Sequence, residues 1–294
     1  MLLEIEENAE LVFDDGSPVR AASAIAAFGD GWLVVQDDAT HAAWWRPGSV
    51  TPVRVADPVG GLEVFSSAAG TKHLKPDFEA ACAVPGGGVL LLGSGSSPAR
   101  TRVSLVRPGA APVVADLRPA YQAVAAALGL REDQLNLEGA CLIGDRLRWF
   151  QRGNPTAGTP TACVDLDVAA LLAAVHGDGP AEKIDIEGVR RYDLGAVAGV
   201  ALAVTDAVAL ADGRVLVSAA AEDTPNAIDD GPVTGSALAL LDDDGPVVVE
   251  IPGAAKVEGL AVRETTAGGV RLHAVVDADD PDVPSRRLGL RLRW

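Results

Sequence analysis

One phrase recurs along this chain, and recurrence at a near-constant interval restricts the possible folds more than any bulk property does. The phrase is an acid, two or three small residues, a Gly/Asp turn, and an alternating apolar strand with a polar exit. Its fullest form runs through Glu138, Gly139, Ala140, Cys141 and Leu142, turns at Gly144 and Asp145, and passes Leu147 and Trp149 to leave at Gln151, Arg152 and Asn154. It returns at Glu79, Asp206 and Glu258, and in reduced form at Ser23. Successive starts lie between 52 and 68 residues apart, while the 22 residues before Ser23 and the 36 after Glu258 together make one more interval. A ring closed by strands from both ends accounts for that remainder, whereas an open solenoid calls for capping repeats.

Four strand-like runs fit each repeat. In the fourth they cover residues 206–210, 215–219, 236–241 and 247–251, with turns at Asp212-Gly213 and at 242–245. The first repeat gives 23–27, 32–36, 42–46 and 50–55, and the second 79–84, 89–93, 102–107 and 112–116. Four antiparallel strands per repeat make a propeller blade. The expectation is one all-β domain over residues 1–294, a β-propeller of five blades; the six-bladed alternative lacks a sixth phrase.

Closure makes a specific expectation. Leu288, Leu290, Leu292 and Trp294 alternate with Arg287, Gly289, Arg291 and Arg293, while Leu3 and Ile5 alternate with Glu4 and Glu6. Paired antiparallel, the two ends set Arg opposite Glu on one face and apolar residues on the other. The N-terminal strand is therefore expected outermost in the last blade. Residues 119–128, stopped by Gly129, and 167–175, stopped by Gly177, read as two short inserted helices. A third insertion, 55–78, has no periodicity and carries Lys72, His73 and Lys75. Glu187-Gly188 imitates a repeat start but lacks the following turn, which puts it on an outer strand of the third blade.

Composition mainly excludes. A net charge of −17 without a Lys/Arg run repels a polyanion, so nucleic acid is not an expected partner. No apolar run approaches the ~18 residues that span a bilayer, and Met1 to Glu10 has four Glu and no basic leader, so no membrane partner is expected and the chain reads as cytoplasmic. Three cysteines without a C-x-x-C spacing make neither a disulfide framework nor a zinc site; Cys82 and Cys141 read as small core residues. The sequence does not give an oligomeric state.

In a blade the start of the first strand and the end of the second share one rim. That rim gathers Glu79 with Ser94, Ser96 and Arg100; Glu138 with Gln151, Arg152 and Asn154; Asp206 with Glu222, Asp223 and Asn226; and Glu258 with Asp277. Ser23 falls near Asp37, Asp38 and His41. Chemical variety on one mouth marks a ligand site. Each acid also has a structural reading, as a rivet accepting backbone N–H groups of the next blade, and the small residues after it suit strands crowding the axis. Converging acids raise one another's pKa unless compensated. One compensation is Ca²⁺ or Mg²⁺ on Glu138, Asp206 and Glu258, with Asn154 or Asn226 adding amide oxygens. The other is internal pairing with Lys75, Arg100, Arg152 and Lys256, groups that equally suit an anionic ligand.

Glu138-Gly139-Ala140 and Glu258-Gly259-Leu260-Ala261, each followed by a Gly-turn strand with a polar exit, resemble the blade starts of phytase-like and esterase-like bacterial β-propellers. Lys75-Pro76-Asp77-Phe78-Glu79, Gln151-Arg152-Gly153-Asn154 and Glu222-Asp223-Thr224-Pro225-Asn226 resemble phrases of a related bacterial propeller family without assigned activity. The resemblance implies metal-dependent ester or phosphoester hydrolysis. Glu138, Arg152 and Glu258 are then the catalytic candidates, with Lys75, Glu79, Ser96, Arg100, Asn154, Glu222, Asn226, Lys256 and Asp277 around the ligand. A non-catalytic mouth holding a small anion or a peptide is the alternative, because no unambiguous nucleophile or base stands out.

Overall fold

A computed structural model describes residues 1–154, 156–223, 231–242, 244–253, 255–278, 280 and 283–294. The N-terminal strand is β1 (Leu2–Glu10). The first blade holds β2 (Ala22–Phe28), β3 (Gly31–Gln36), β4 (His41–Arg46) and β5 (Ser49–Arg54), and the second β6 (Phe78–Val84), β7 (Gly88–Gly93), β8 (Arg102–Val106) and β9 (Val113–Asp116). The third holds β10 (Leu137–Ile143), β11 (Arg146–Gln151), β12 (Thr161–Asp167) and β13 (Ile186–Tyr192), with Glu187 on that outer strand. The fourth holds β14 (Ala196–Val197), β15 (Val200–Ala209), β16 (Val215–Glu222), β17 (Val233–Asp242) and β18 (Gly245–Ile251). The last consists of β19 (Lys256–Thr266), β20 (Gly269–Asp277), β21 (Arg286–Arg293) and β1, in the order β1-β21-β20-β19.

Five blades, closed by both ends, match the expectation. The fourth departs from it: β15 begins six residues before Asp206, and the β14 hairpin makes its sheet five-stranded. A two-residue turn, Ala198 and Gly199, both at positive φ, produces that hairpin.

Apolar alternation places one packed core between each pair of neighbouring blades. Leu33 and Phe78 belong to the first such core, Leu90 and Trp149 to the second, Phe150 and Val204 to the third, Leu238 and Leu260 to the fourth. The fifth joins Val275 of the last blade to Ile25 and Val34 of the first, so the ring has no gap. Helices α1 (Arg118–Leu128) and α2 (Val168–His176) pack into the second core. Gly129 and Gly177 end them in the left-handed conformation, and Asp167 caps α2 by accepting the Ala170 N–H at 2.7 Å.

The closing strand pairs as its charge pattern dictates. Leu3 faces Leu292, Ile5 faces Leu290 and Glu4 faces Arg291; a bulge after Ile5 then shifts the register so that Glu7 faces Gly289. Arg287 binds Glu7 at 2.6 Å and Arg271 binds Glu6 at 3.2 Å. Cys82, Cys141 and Cys163 are buried free thiols. No helix among the described residues is long and apolar enough to cross a membrane.

At the seam between the last and first blades, His273 lies edge-on to Trp45 and Trp32, with ring centroids 4.7 and 5.0 Å away. Burial, with Arg263 and Arg287 nearby, pushes its pKa down to about 4, against a minor opposing pull from Glu7. Folding therefore favours the neutral ring: its contribution is intact above pH 6.5 and is lost as pH falls towards 4. The loss is on the order of 3 kcal/mol. Melting temperatures of wild type and His273→Phe are expected to diverge between pH 6.5 and 4, with wild type falling further; parallel curves would refute this.

Candidate functional site

Every innermost strand breaks register with its neighbour near its mouth end, and β19 does so a second time between Val262 and Glu264. The mouth-end breaks lie between Ala22 and Ala24, Phe78 and Ala80, Glu138 and Ala140, Val204 and Asp206, and Val257 and Gly259. A bulge frees one residue from the ladder and re-aims its side chain. The freed residues are Ser23, Glu79, Gly139, Thr205 and Glu258. Ser23 Oγ donates to Phe78 O at 2.7 Å and Thr205 Oγ1 to Val257 O at 2.6 Å, each tying its blade to the next. Glu79 and Glu258 occupy the same bulge position and line the mouth instead.

This equivalence corrects the expectation for Asp206. Thr205, not Asp206, corresponds to Glu79 and Glu258, and one step along a strand reverses the side chain's direction. Asp206 is 1% exposed and does not line the cavity among the described residues. Its Oδ2 accepts the Leu260 N–H and its Oδ1 the Ala207 N–H, both at 2.7 Å, and the Ala140 N–H bonds the same carboxyl. Burial, resisted by those N–H groups, holds its pKa well above the usual carboxylate range. The structure thus makes it a rivet across three blades rather than a metal ligand. Glycines permit the approach: a Cβ on Gly139, at φ +44°, would lie 2.7 Å from the Asp206 backbone, and one on Gly259 would lie 2.8 Å from Ala24.

The mouth holds a cavity of about 420 Å³. In its first half, Lys75 contacts Asp37, Asp77 at 2.6 Å and Glu79 at 3.8 Å. Arg100 binds Asp77 at 3.1 Å and donates to Ser96 Oγ at 2.9 Å. Ser94 joins Asp77 and Ser96, so Ser96 sits behind Arg100, outside the described cavity wall. Asp77, at φ +58°, adopts a conformation costly for a non-glycine residue, and the ion pairs around it hold it there. Burial opposes its charge, but Lys75 and Arg100 outweigh burial and lower its pKa. Glu79 goes the other way: burial, then Asp37 and Asp77, hold its pKa well above the usual range. Alongside, Arg20 binds Asp38 at 2.8 Å; burial and Asp37 push Asp38 up to about 6.

The second half centres on Arg152 and Lys256. Arg152 bridges Glu138, at 3.0 Å, and Glu222; Lys256 bridges Glu258, at 2.9 Å, and Glu222, at 3.5 Å. Asn136 Nδ2 donates to Glu138 Oε1 at 2.9 Å, while the buried Oε2 has no hydrogen-bond partner among the described residues. Burial pushes Glu138 up to about 7, with Arg152 opposing and Glu258 adding to the shift. Burial also raises Glu258, against Lys256. Glu222 is lowered, because Arg152 and Lys256 outweigh its burial.

Of the remaining predicted residues, Asn154 lines the cavity and turns its own loop, its Oδ1 accepting the Ala157 N–H at 3.1 Å. Asp277 lines the cavity and faces Lys256 in the ladder. Gln151 faces the backbone, accepting the Asn136 N–H at 2.9 Å. Asn226 lies outside the described residues. Sequence reasoning left Asp77, Arg20 and Asn136 out of the site; the phrase Lys75-Pro76-Asp77-Phe78-Glu79 was the available signal for Asp77, since alternate residues of it carry charge.

Nine carboxyl groups and six cationic groups line the described wall. Asp37, Asp77 and Glu79 offer oxygens within 4.8 Å of one another, close enough for a metal ion, although Lys75 already contacts all three. A protein-family model described as a family of unknown function (DUF6910) matches residues 71–281. No curated protein matches. Among solved structures, MPT-4, a mannose phosphorylase from Leishmania mexicana, shares 13% identity over 97% of this chain and 88% of its own, with a TM-score of 0.49. Luciferin-regenerating enzyme shares 12% over 95% and 79%, TM-score 0.45. The gluconolactonase XC5397 from Xanthomonas campestris shares 16% over 71% of this chain, which spans 60% of that one, TM-score 0.34.

Proposed function

The chain belongs to DUF6910, a family of unknown function, and we propose that its mouth binds a divalent cation together with a small ester or phosphoester and hydrolyses it. The carrying observation is Glu138: a buried carboxyl with one oxygen unpartnered among the described residues, on a described wall where acids exceed bases. In the first half the ammonium of Lys75 takes the place a metal ion would need. Glu138, whose Oε2 has no partner among the described residues, is the carboxyl placed to hold Ca²⁺ or Mg²⁺, and Glu258, paired with Lys256 at 2.9 Å, adds a second oxygen beside it. A cation held there would supply the Lewis acid for polarising the scissile group and activating water. Arg152 stabilises the negative charge that develops, and Lys256 keeps Glu222 ionised beside it. Held there, such a cation would also reconcile an acid-rich mouth with an anionic ligand.

A cation binds the ionised carboxyl, so its affinity rises with pH through about 7, where Glu138 loses its proton. Added Ca²⁺ or Mg²⁺ is expected to raise the melting temperature at pH 8, to do so less at pH 6, and to do nothing to Glu138→Gln. A screen on aryl phosphates, esters and lactones, with Arg152→Ala as the control, then tests turnover. No cation effect at either pH removes the metal-dependent reading. The second reading is a binding mouth without turnover; it is favoured by the pairing of Lys75, Arg100, Arg152 and Lys256 with carboxylates, which leaves the wall's charges engaged with one another.

A further inference from the structure

Beside the mouth, on the flank between the third and fourth blades, lies a second depression of about 740 Å³. Its walls are two of the places where the chain departs from the blade repeat. One wall is the end of α1, Leu128 to Leu130; the other is the approach to the β14 hairpin, Leu194 and Gly195, with Leu202 of β15 behind it. Pro160 forms part of the floor, and Arg191 fixes one wall by donating to Leu128 O at 3.2 Å. Insertions in repeat proteins gather where ligands bind.

Two residues connect this groove to the mouth. Gln134 and Thr159 line both cavities, so they form a shared sill rather than a wall between unrelated hollows. Both are fixed: Gln134 Oε1 accepts the Arg131 N–H at 3.1 Å, and Thr159 N–H donates to Asn154 O at 2.9 Å. The mouth is dense with charge, whereas the groove carries Arg191 and Asp193 as its only described charged residues and presents leucine along both sides.

We propose that the groove holds an unbranched acyl or alkyl arm of the molecule whose polar head sits in the mouth, so that the substrates are long-chain rather than short-chain esters or phosphoesters. This rests on the reading of the mouth as an ester or phosphoester site. Each methylene withdrawn from water strengthens binding, by up to about fourfold when fully buried. In an open groove about twofold per methylene is expected over the first several carbons, after which affinity levels off.

The test measures binding alone. Calorimetric titrations with methyl-, butyl- and octylphosphonate, with Mg²⁺ present, are paired with N-butyl- and N-octylacetamide, which have no charged head. Octylphosphonate is expected to bind at least tenfold more tightly than methylphosphonate. Leu130→Arg, at a half-buried position, is expected to flatten that series while leaving methylphosphonate unchanged, and Leu194→Gln to do the same. A flat series in wild type overturns the groove and leaves the mouth standing. A steep series with the acetamides and no phosphonate binding upholds the groove and removes the head-group reading. A steep series that survives both substitutions, or no binding by any probe, overturns the groove.

Discussion

Removing residues 1–10 is expected to lower the melting temperature by on the order of 10 °C and to blunt the cooperativity of unfolding. The deleted β1 covers the full length of β21, and with it go Leu3 and Ile5, packed against the core between the fourth and last blades. Partial burial of two such side chains contributes about 2–4 kcal/mol. The pairs Arg287–Glu7 and Arg271–Glu6 are half-exposed and add little. A loss of about 4 kcal/mol corresponds to roughly 10 °C in a domain of this size. The exposed β21 would also present an open edge to other chains. Adding a peptide of residues 1–10 in trans is expected to restore part of the loss. A melting temperature unchanged by the deletion would show that the ring does not depend on this strand.

Asp206→Ala is expected to be as damaging without touching the cavity. It leaves the N–H groups of Leu260, Ala207 and Ala140 buried without their acceptor. At about 1–3 kcal/mol for each unsatisfied group, the cost is about 3–9 kcal/mol. Asp206→Asn keeps one acceptor oxygen and is expected to cost less than half as much. Equilibrium urea unfolding distinguishes the two, and cation binding per folded molecule should be the same in both variants. If Asp206→Asn instead abolished the cation effect while keeping stability, the residue would be a ligand after all and the blade-bridging account would fail.

Asp206 also shows how far the sequence carries the site. Counting from one acid to the next finds the repeat, the number of blades and the mouth, because Glu79 and Glu258 stand at equivalent bulges. It does not find the bulge itself. Thr205 fills that position in the fourth blade, and a hydroxyl one residue before an acid gives no sign that the acid turns outward between blades. The closing blade is legible for the opposite reason: alternation of Arg and Leu against Glu and Leu survives a bulge, since each side of it keeps its own parity. Asp77 escaped because its role depends on a left-handed backbone and on Lys75, Arg100 and Ser94 arriving from different directions. The β14 hairpin escaped because two residues per strand carry no periodicity.

The pairing of β1 with β21 has a consequence for how the protein is made. β1 has no partner until β21 has left the ribosome, so every intervening blade is translated while β1 is unmated. Closure of the ring therefore waits on β21, and the nascent chain carries an unpaired Leu-Glu strand while the blades between are synthesised.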